Sequence, residues 1–341
     1  MKDISEQIQV STFAPVIIPT LCRYEHFRAC LESLSRCTWA NKTDVFIGLD
    51  YPAKESHWNG YNKIKAYLQS NQKKLNFKSF NVIERERNYG FGPHGNFREL
   101  RFFVLNFYDR LIASEDDNVF SPNFLVFMNR GLEKFKDDKS VLALNGYRHF
   151  YPIKCSANTF IRQNVDFSAW GYGIWKDRIK MFDHANIHYF TNKFSLKSFF
   201  DLRKENGNNR ALNFSDYAFG WNGIMSDSPM SVYAKLENMD IIMPAKVSLV
   251  RNMGWDNSGE HCLNNESLKK LHVAQPISED SDFDYVGTGK EYYEENRKVF
   301  RESSYARISN KIFWKRFIKV LAQYILMKLH LLKSISRTAC L

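Results

Sequence analysis

No apolar run in this sequence approaches the roughly 20 residues needed to cross a bilayer, so no membrane-spanning helix is expected. The six cysteines, at positions 22, 30, 37, 155, 262 and 340, form no Cys-x-x-Cys pair, so a zinc knuckle is not expected. The opening MKDISEQIQVSTF carries acids and no continuous apolar segment, so no export signal is expected. The expected location is therefore cytoplasmic, with the cysteines reduced. The stretch RNYGFGPHGN has three glycines but no Gly-Lys-Ser/Thr after it, and it does not match Gly-x-Gly-x-x-Gly. A P-loop and a dinucleotide fingerprint are both excluded. There is no internal repeat and no low-complexity tract. From Lys311 to the end there is no acid at all.

What is present supports a sizeable core. The 341 residues are 44% hydrophobic and 15% aromatic, with 28 Phe and 17 Tyr, which excludes global disorder. A net charge of +11 suits nucleic acid, anionic lipid or a phosphorylated substrate. No nucleic-acid-binding motif appears, and much of the basic excess sits in the C-terminal tail, so a nucleic-acid partner is not expected.

Along the chain, APVIIPT (14–20), TDVFIGLDYP (43–52), FKSFNVIERERNYG, LIAS (111–114) and SVLALNGYR read as strands. Helical patterns lie between them, as in RYEHFRACLESLSRC, where Phe27, Cys30, Leu31 and Leu34 share a face. Alternation at this rhythm predicts an α/β fold with a mostly parallel sheet flanked by helices. Ligands bind such sheets beyond the carboxyl ends of the strands. Pro19, Thr20, Asp50, the glycine loop and the acids after LIAS all fall there. Past residue 150 the rhythm loosens. FSAWGYGIWKDR (167–178) reads as a loop shaped around a ligand, and 192–210 as a mobile surface segment. Short strands are expected near 241–243 and 247–250, with a polar, acidic appendage at 263–305.

The acids, Glu115-Asp116-Asp117, close the LIAS strand. Adjacent carboxylates there suit a hard divalent cation such as Mg²⁺ or Mn²⁺; the alternative is a solvated acidic turn. In the glycine loop, whose backbone should approach a ligand closely, Asn88 and His94 are the polar candidates.

Six segments, PVIIPTLCRYEHFRACLESL, VFIGLDYP, NYGFGPHGN, LIASEDDNVFSPNFLVFM, FSAWGYGIWKDR and NMGWDNSGEHC, together resemble in content and order the nucleotide-sugar glycosyltransferases of the GT-A fold. They look most like the bacterial family-2-like enzymes and the N-acetylglucosaminyltransferase I group, whose metal motif is also Glu-Asp-Asp. The resemblance covers about 14–262. It implies a GT-A catalytic domain over 1–265 (nucleotide half about 14–150, acceptor half about 151–265), a polar appendage at 266–310 and a basic amphipathic tail at 311–341. It implies a nucleotide-sugar donor, a UDP-sugar first, with Mn²⁺ or Mg²⁺. Asp117 would ligate the metal, Asp116 would meet the ribose or metal-bound water, and Glu115 the transferred sugar. Asp50 would accept from a uracil-type N–H, or is simply a turn acid. Arg23 would lie near the nucleotide or its phosphates, although Cys22 stands where the relatives have Asp. Trp170 and Gly171 would shape a sugar pocket, and His261 would reach the metal or diphosphate.

An inverting transferase needs a base for the acceptor hydroxyl. Asp227 has the spacing to Pro244 seen for an acid in the bacterial relatives, and Asp-Ser-Pro is also a helix N-cap pattern. Asp216 is the alternative. The acceptor implied is a glycan or lipid-linked glycan of bacterial surface polysaccharide or lipopolysaccharide. A nucleotidyltransferase is the competing enzyme class, but PTLCRYEHF lacks the Gly-rich basic loop those enzymes carry after the first strand. In the tail, Ile312, Phe313, Phe317, Val320, Leu321, Tyr324, Leu329 and Leu332 could form an apolar stripe. The stripe could meet an anionic membrane or pack on the catalytic domain or a partner.

Overall fold

The computed structural model describes residues 8–92, 94–149, 152–155, 160–184, 188–220, 227–256, 258, 272–280, 287–302 and 308–329. Two short apolar runs make its centre. β1 (Val16–Thr20) and β2 (Asp44–Leu49) are buried along almost their whole length, as strands inside a parallel sheet must be. β1 pairs in parallel with β2 and with β4 (Arg110–Ala113), and β2 with β3 (Ser79–Glu84). The other strands are β5 (Asn118–Phe120), β6 (Val141–Asn145), β7 (Phe160–Gln163), β8 (Tyr172–Trp175), β9 (Asp240–Pro244) and β10 (Val250–Asn252). Eight of them form one sheet in the order β3-β2-β1-β4-β8-β6-β9-β7, in which β8 and β7 are antiparallel to their neighbours. β5 and β10 form a separate antiparallel ribbon.

Alternation along β1 assigns the two faces of the sheet. Val16 and Ile18 point into a core shared with α1 (Tyr24–Ser35), α2 (Trp58–Asn71) and α4 (Phe124–Lys134). Ile17 points the other way, toward α3 (Asn96–Leu105), α5 (Lys176–His184) and α8 (Asp227–Leu236). A third apolar layer joins α6 (Tyr189–Lys193), α7 (Leu196–Phe219) and α10 (Asn310–Lys328) around Phe199, Phe214 and Phe313. α9 (Tyr293–Glu302) sets Phe300 against Ile161 of β7 and Met243 of β9. The acidic and polar stretch is stitched to the body: the Ser121 hydroxyl donates to the Ser278 carbonyl at 2.6 Å, and Ser278 N–H donates to Ser248 O at 3.2 Å.

The mostly parallel α/β sheet with C-terminal helices matches the sequence expectation, and two local readings are corrected. The segment 167–178 is not all loop: Tyr172–Trp175 is β8, wedged between β4 and β6 and fully buried. Gly173 lets Leu132 and Met128 approach to 3.2 Å of where a Cβ would stand. Nor is 192–210 a mobile surface segment. Most of it is α7, opened by a Ser195–Ser198 capping box, with Phe199, Leu202, Asn206 and Arg210 buried. Its polar residues disguised an inward face that includes two of them. The strand expected near 247–250 begins at Val250.

Gly60 tests how tightly α2 holds the loop after β1. A Cβ there would stand 1.8 Å from the Cys22 carbonyl oxygen. Helix propensity alone predicts that Gly60→Ala stabilises by up to about 1 kcal/mol. Contact with a backbone atom predicts the opposite sign, a loss of about 2 kcal/mol. Urea unfolding decides between them, and an unchanged or raised midpoint contradicts the close approach.

Candidate active site

The site grows from the carboxyl end of β4. The chain leaves Ala113, turns through Glu115, Asp116 and Asp117, and re-enters extended structure as β5. Asp116 and Asp117 are buried at the turn. From the end of β1, the Thr20 hydroxyl donates to Asp116 Oδ2 at 2.9 Å. Arg23, in the loop before α1, donates through Nη2 to Asp116 Oδ1 and through Nη1 to Asp117 Oδ2, the latter at 2.7 Å. From β10, Asn252 Nδ2 reaches Asp117 Oδ1 at 2.7 Å. All four carboxylate oxygens therefore have donors. Gly254 closes over the group: a Cβ there would lie 2.1 Å from Asp117 Oδ2.

Burial raises the pKa of Asp117, and Arg23 opposes the shift. Burial alone would lower the pKa of Arg23, but attraction by Asp116 and Asp117 outweighs it, so the guanidinium stays charged. Glu115 is pushed well above the carboxylate range by burial and then by repulsion from Asp117 and Asp227. Its carboxyl thus lies in the field of acids on both sides of the site.

Asp227 comes from the opposite direction, at the first turn of α8. Its Oδ1 accepts the Ala169 N–H at 2.8 Å, which fixes it to the loop leading into β8. Burial raises its pKa to about 6, with the Ala169 bond and Arg210 opposing and Asp166 adding to the rise. Arg210 of α7 pairs with the buried Asp166, and its Nη1 donates to Ser228 Oγ at 3.1 Å. Trp170 packs edge-on against Tyr147 at 4.7 Å, beside Trp255 and His272. Gly171, at φ +68°, faces Val250 and Phe124 with no room for a Cβ.

Asp50 is occupied differently from the expected nucleobase role. Its carboxylate accepts the Tyr89 and Gly90 N–H groups at 2.8 and 2.9 Å and the Asn88 amide at 3.3 Å. Asp50 and Asn88 together tie the glycine loop to the end of β2. Pro19 pairs with Gly48 within the sheet. His94 is turned to solvent beside Glu99, its side chain 86% exposed. Asp216 is exposed on α7 and pairs with Arg316 of α10 at 2.9 Å. His261 lies outside the described residues. Asn252, Gly254, Asp166 and Arg210 escaped the sequence reading. Only Gly254 left a signal, a glycine two residues after a strand.

Among the described residues no three His, Cys, Asp or Glu side chains converge as a closed metal cage. The donor set is instead an open one. Asp116 and Asp117 offer hard oxygens to a cation that completes its shell with water and substrate phosphate. Arg23 pairs with both acids, so a cation binding there would have to displace the guanidinium.

No protein-family model matches the chain. No curated protein matches it either. Among solved structures it is similar to S. aureus TarS 1-349 in complex with UDP-GlcNAc, at 12% identity and TM-score 0.39 over 96% of this chain and 74% of that one. A second likeness is to the mannosyltransferase PcManGT from Pyrobaculum calidifontis in complex with GDP-Man and Mn²⁺, at 10% identity and TM-score 0.36 over 70% and 73%. A third is to a longer S. aureus TarS chain, at 15% identity and TM-score 0.34, with half of this chain aligned to 30% of that one.

Removing the guanidinium tests the pairing. Arg23→Ala leaves two buried carboxylates side by side, and thermal unfolding should show a loss of about 3 kcal/mol. Millimolar Mn²⁺ should restore more stability to this variant than it adds to the parent. Equal effects on both would show that the acids do not take a cation where Arg23 sits.

Proposed function

We propose that this protein is a metal-dependent glycosyltransferase of the GT-A type, moving a sugar from a nucleoside-diphosphate donor to a glycan hydroxyl with inversion. One observation carries the reading. Asp116 and Asp117 are held at the end of a central strand by Arg23, and Asp227, buried with its pKa raised to about 6, is anchored by the Ala169 N–H in the loop that leads into the neighbouring strand β8.

Asp116 and Asp117 would hold Mn²⁺ or Mg²⁺, which when bound offsets the charge that develops on the departing diphosphate. Arg23, with its planar fork, can pair with the donor phosphates instead of the acids. Glu115 is set to hydrogen-bond the transferred sugar. Asp227 takes the acceptor hydroxyl proton as that oxygen bonds the anomeric carbon and the bond to the diphosphate oxygen breaks. A base whose pKa lies near 6 is ionised at neutral pH yet basic enough to help. The donor favoured is a UDP-sugar, and the acceptor a surface polysaccharide or lipopolysaccharide chain assembled on the cytoplasmic side.

A thermal-shift panel of nucleotide sugars with and without Mn²⁺ tests the class. One donor at a hundredfold excess over its Kd should stabilise by about 2.7 kcal/mol, only with metal; Asp117→Ala should abolish the shift. Stabilisation by no nucleotide sugar overturns the reading.

Asp227→Asn keeps an oxygen for Ala169 N–H and cannot take a proton. It should leave the donor shift intact and lower transfer about a thousandfold. Parent kcat/KM should rise with pH through about 6 and then level, since only the ionised base works. Stability should run the other way. A carboxyl with a raised folded pKa stabilises below its unfolded value and loses that contribution as pH climbs through about 6. The Asn variant should therefore unfold at a higher temperature than the parent at pH 8. Retained turnover refutes the assignment.

A further inference from the structure

Helix α10 has two apolar faces, and the fold uses one of them. Phe313 and Val320 are buried in the third layer. Phe317 stacks on Phe199 at 5.6 Å, and Tyr324 lies 5.9 Å from Phe194. Trp314, Ile318, Leu321, Ile325 and Leu329 recur at steps of four, three, four and four, so they form one line about 110° round the helix from the buried face, with Trp314 at its start also against Phe200 and Arg203 of α7. That line faces solvent, with Ile318 71% and Leu329 59% exposed. The expected single stripe therefore splits. Phe313, Phe317, Val320 and Tyr324 face inward, Ile312, Leu321 and Leu329 outward, and Leu332 lies outside the described residues.

Charge says what covers the open line. Exposed Lys315 and Lys319 flank it on one side and Lys328 on the other, and no acid occurs on α10 or after it. Arg316 is committed to Asp216. A second copy docked by this face would bring lysines against lysines with nothing to neutralise them. Anionic headgroups would pair with the lysines while the apolar line enters the acyl boundary, the arrangement of an interfacial helix. Trp314, near the start of the line, suits that boundary. No helix among the described residues is long and apolar enough to cross a membrane, so α10 would lie flat rather than span.

We propose that the outward line of α10 is a docking face for an anionic phospholipid bilayer. The proposal does not depend on which reaction the α/β domain performs.

Vesicle sedimentation of the full chain tests it, comparing phosphatidylglycerol/phosphatidylcholine vesicles with phosphatidylcholine alone. The parent should bind the anionic vesicles, more weakly at high salt, and leave the neutral ones in suspension. Ile318→Glu with Ile325→Glu should lower binding at least about tenfold, and Lys315→Gln with Lys319→Gln about fivefold per lysine. All four side chains are exposed, and unchanged melting would show that the variants fold. Lys73→Gln with Lys74→Gln makes the same charge change on the far side of the fold and should have no effect. Parent-level binding by Ile318→Glu with Ile325→Glu overturns the proposal, as does an equal loss in the Lys73/Lys74 control. Absence of vesicle binding, with a parent dimer that these glutamates convert to monomer, would give the face to a second copy instead.

Discussion

Arg23 holds two adjacent buried carboxylates together at the end of β4, and much of the nearby backbone is shaped to keep it there. Asp116 and Asp117 cannot share that turn as bare charges, since burial strips the water that would otherwise separate them. The guanidinium reaches both because the loop after β1 is pressed against α2, at a helical position that admits only glycine. From the other side β10 pairs with β5, which brings Asn252 opposite Asn118 and its amide to Asp117. Gly254 then lets the backbone pass over the carboxylate. A cluster assembled from four separate segments, with a glycine at each close approach, is not a solvated turn. Its positive partner is the Arg23 side chain, bonded to both acids.

The second half of the site depends on a break in the parallel order. β8 enters between β4 and β6 in the reverse direction, so the loop before it lies at the carboxyl ends of its neighbours. That sets the 169–171 loop next to the carboxyl end of β4 and gives Asp227 its backbone anchor. An all-parallel sheet would have put the same loop at the far end. The antiparallel insertion therefore fixes both Asp227 and the aromatic wall around Trp170.

How legible this was depended on whether a segment's own pattern matched its burial. β1, β2, β4 and β6 are short apolar runs closed by turn residues, and they were readable. The acid triplet stood out because three carboxylates close an apolar run, and burial of Asp116 and Asp117 sets them apart from a solvated turn. β8 was not, because Gly173 and two aromatics give no clean alternation and the strand is only four residues long. α7 was hidden by Asn206 and Arg210, polar residues that the fold buries. A pattern reading counts such residues as surface, and only their partners reveal otherwise. Asp50, expected either at a nucleobase or as a turn acid, accepts N–H groups from the glycine loop, and backbone N–H groups leave no trace in a sequence.

Gly207 interrupts α7 at φ +84°, and two polar links between the α8 end of the cleft and α10 lie after it. Arg210 bonds Ser228 beside Asp227, and six residues later Asp216 bonds Arg316 of α10. Six helical residues rise about 9 Å, a distance the helix cannot easily stretch. A surface covering the outer line of α10 would therefore stand at a fixed height from the carboxylate of Asp227. Were Asp227 the proposed base and the acceptor tethered in lipid, that height would select which hydroxyl of the chain reaches it. The reach of the site along its acceptor would then be set by one short helical segment rather than by pocket contacts alone.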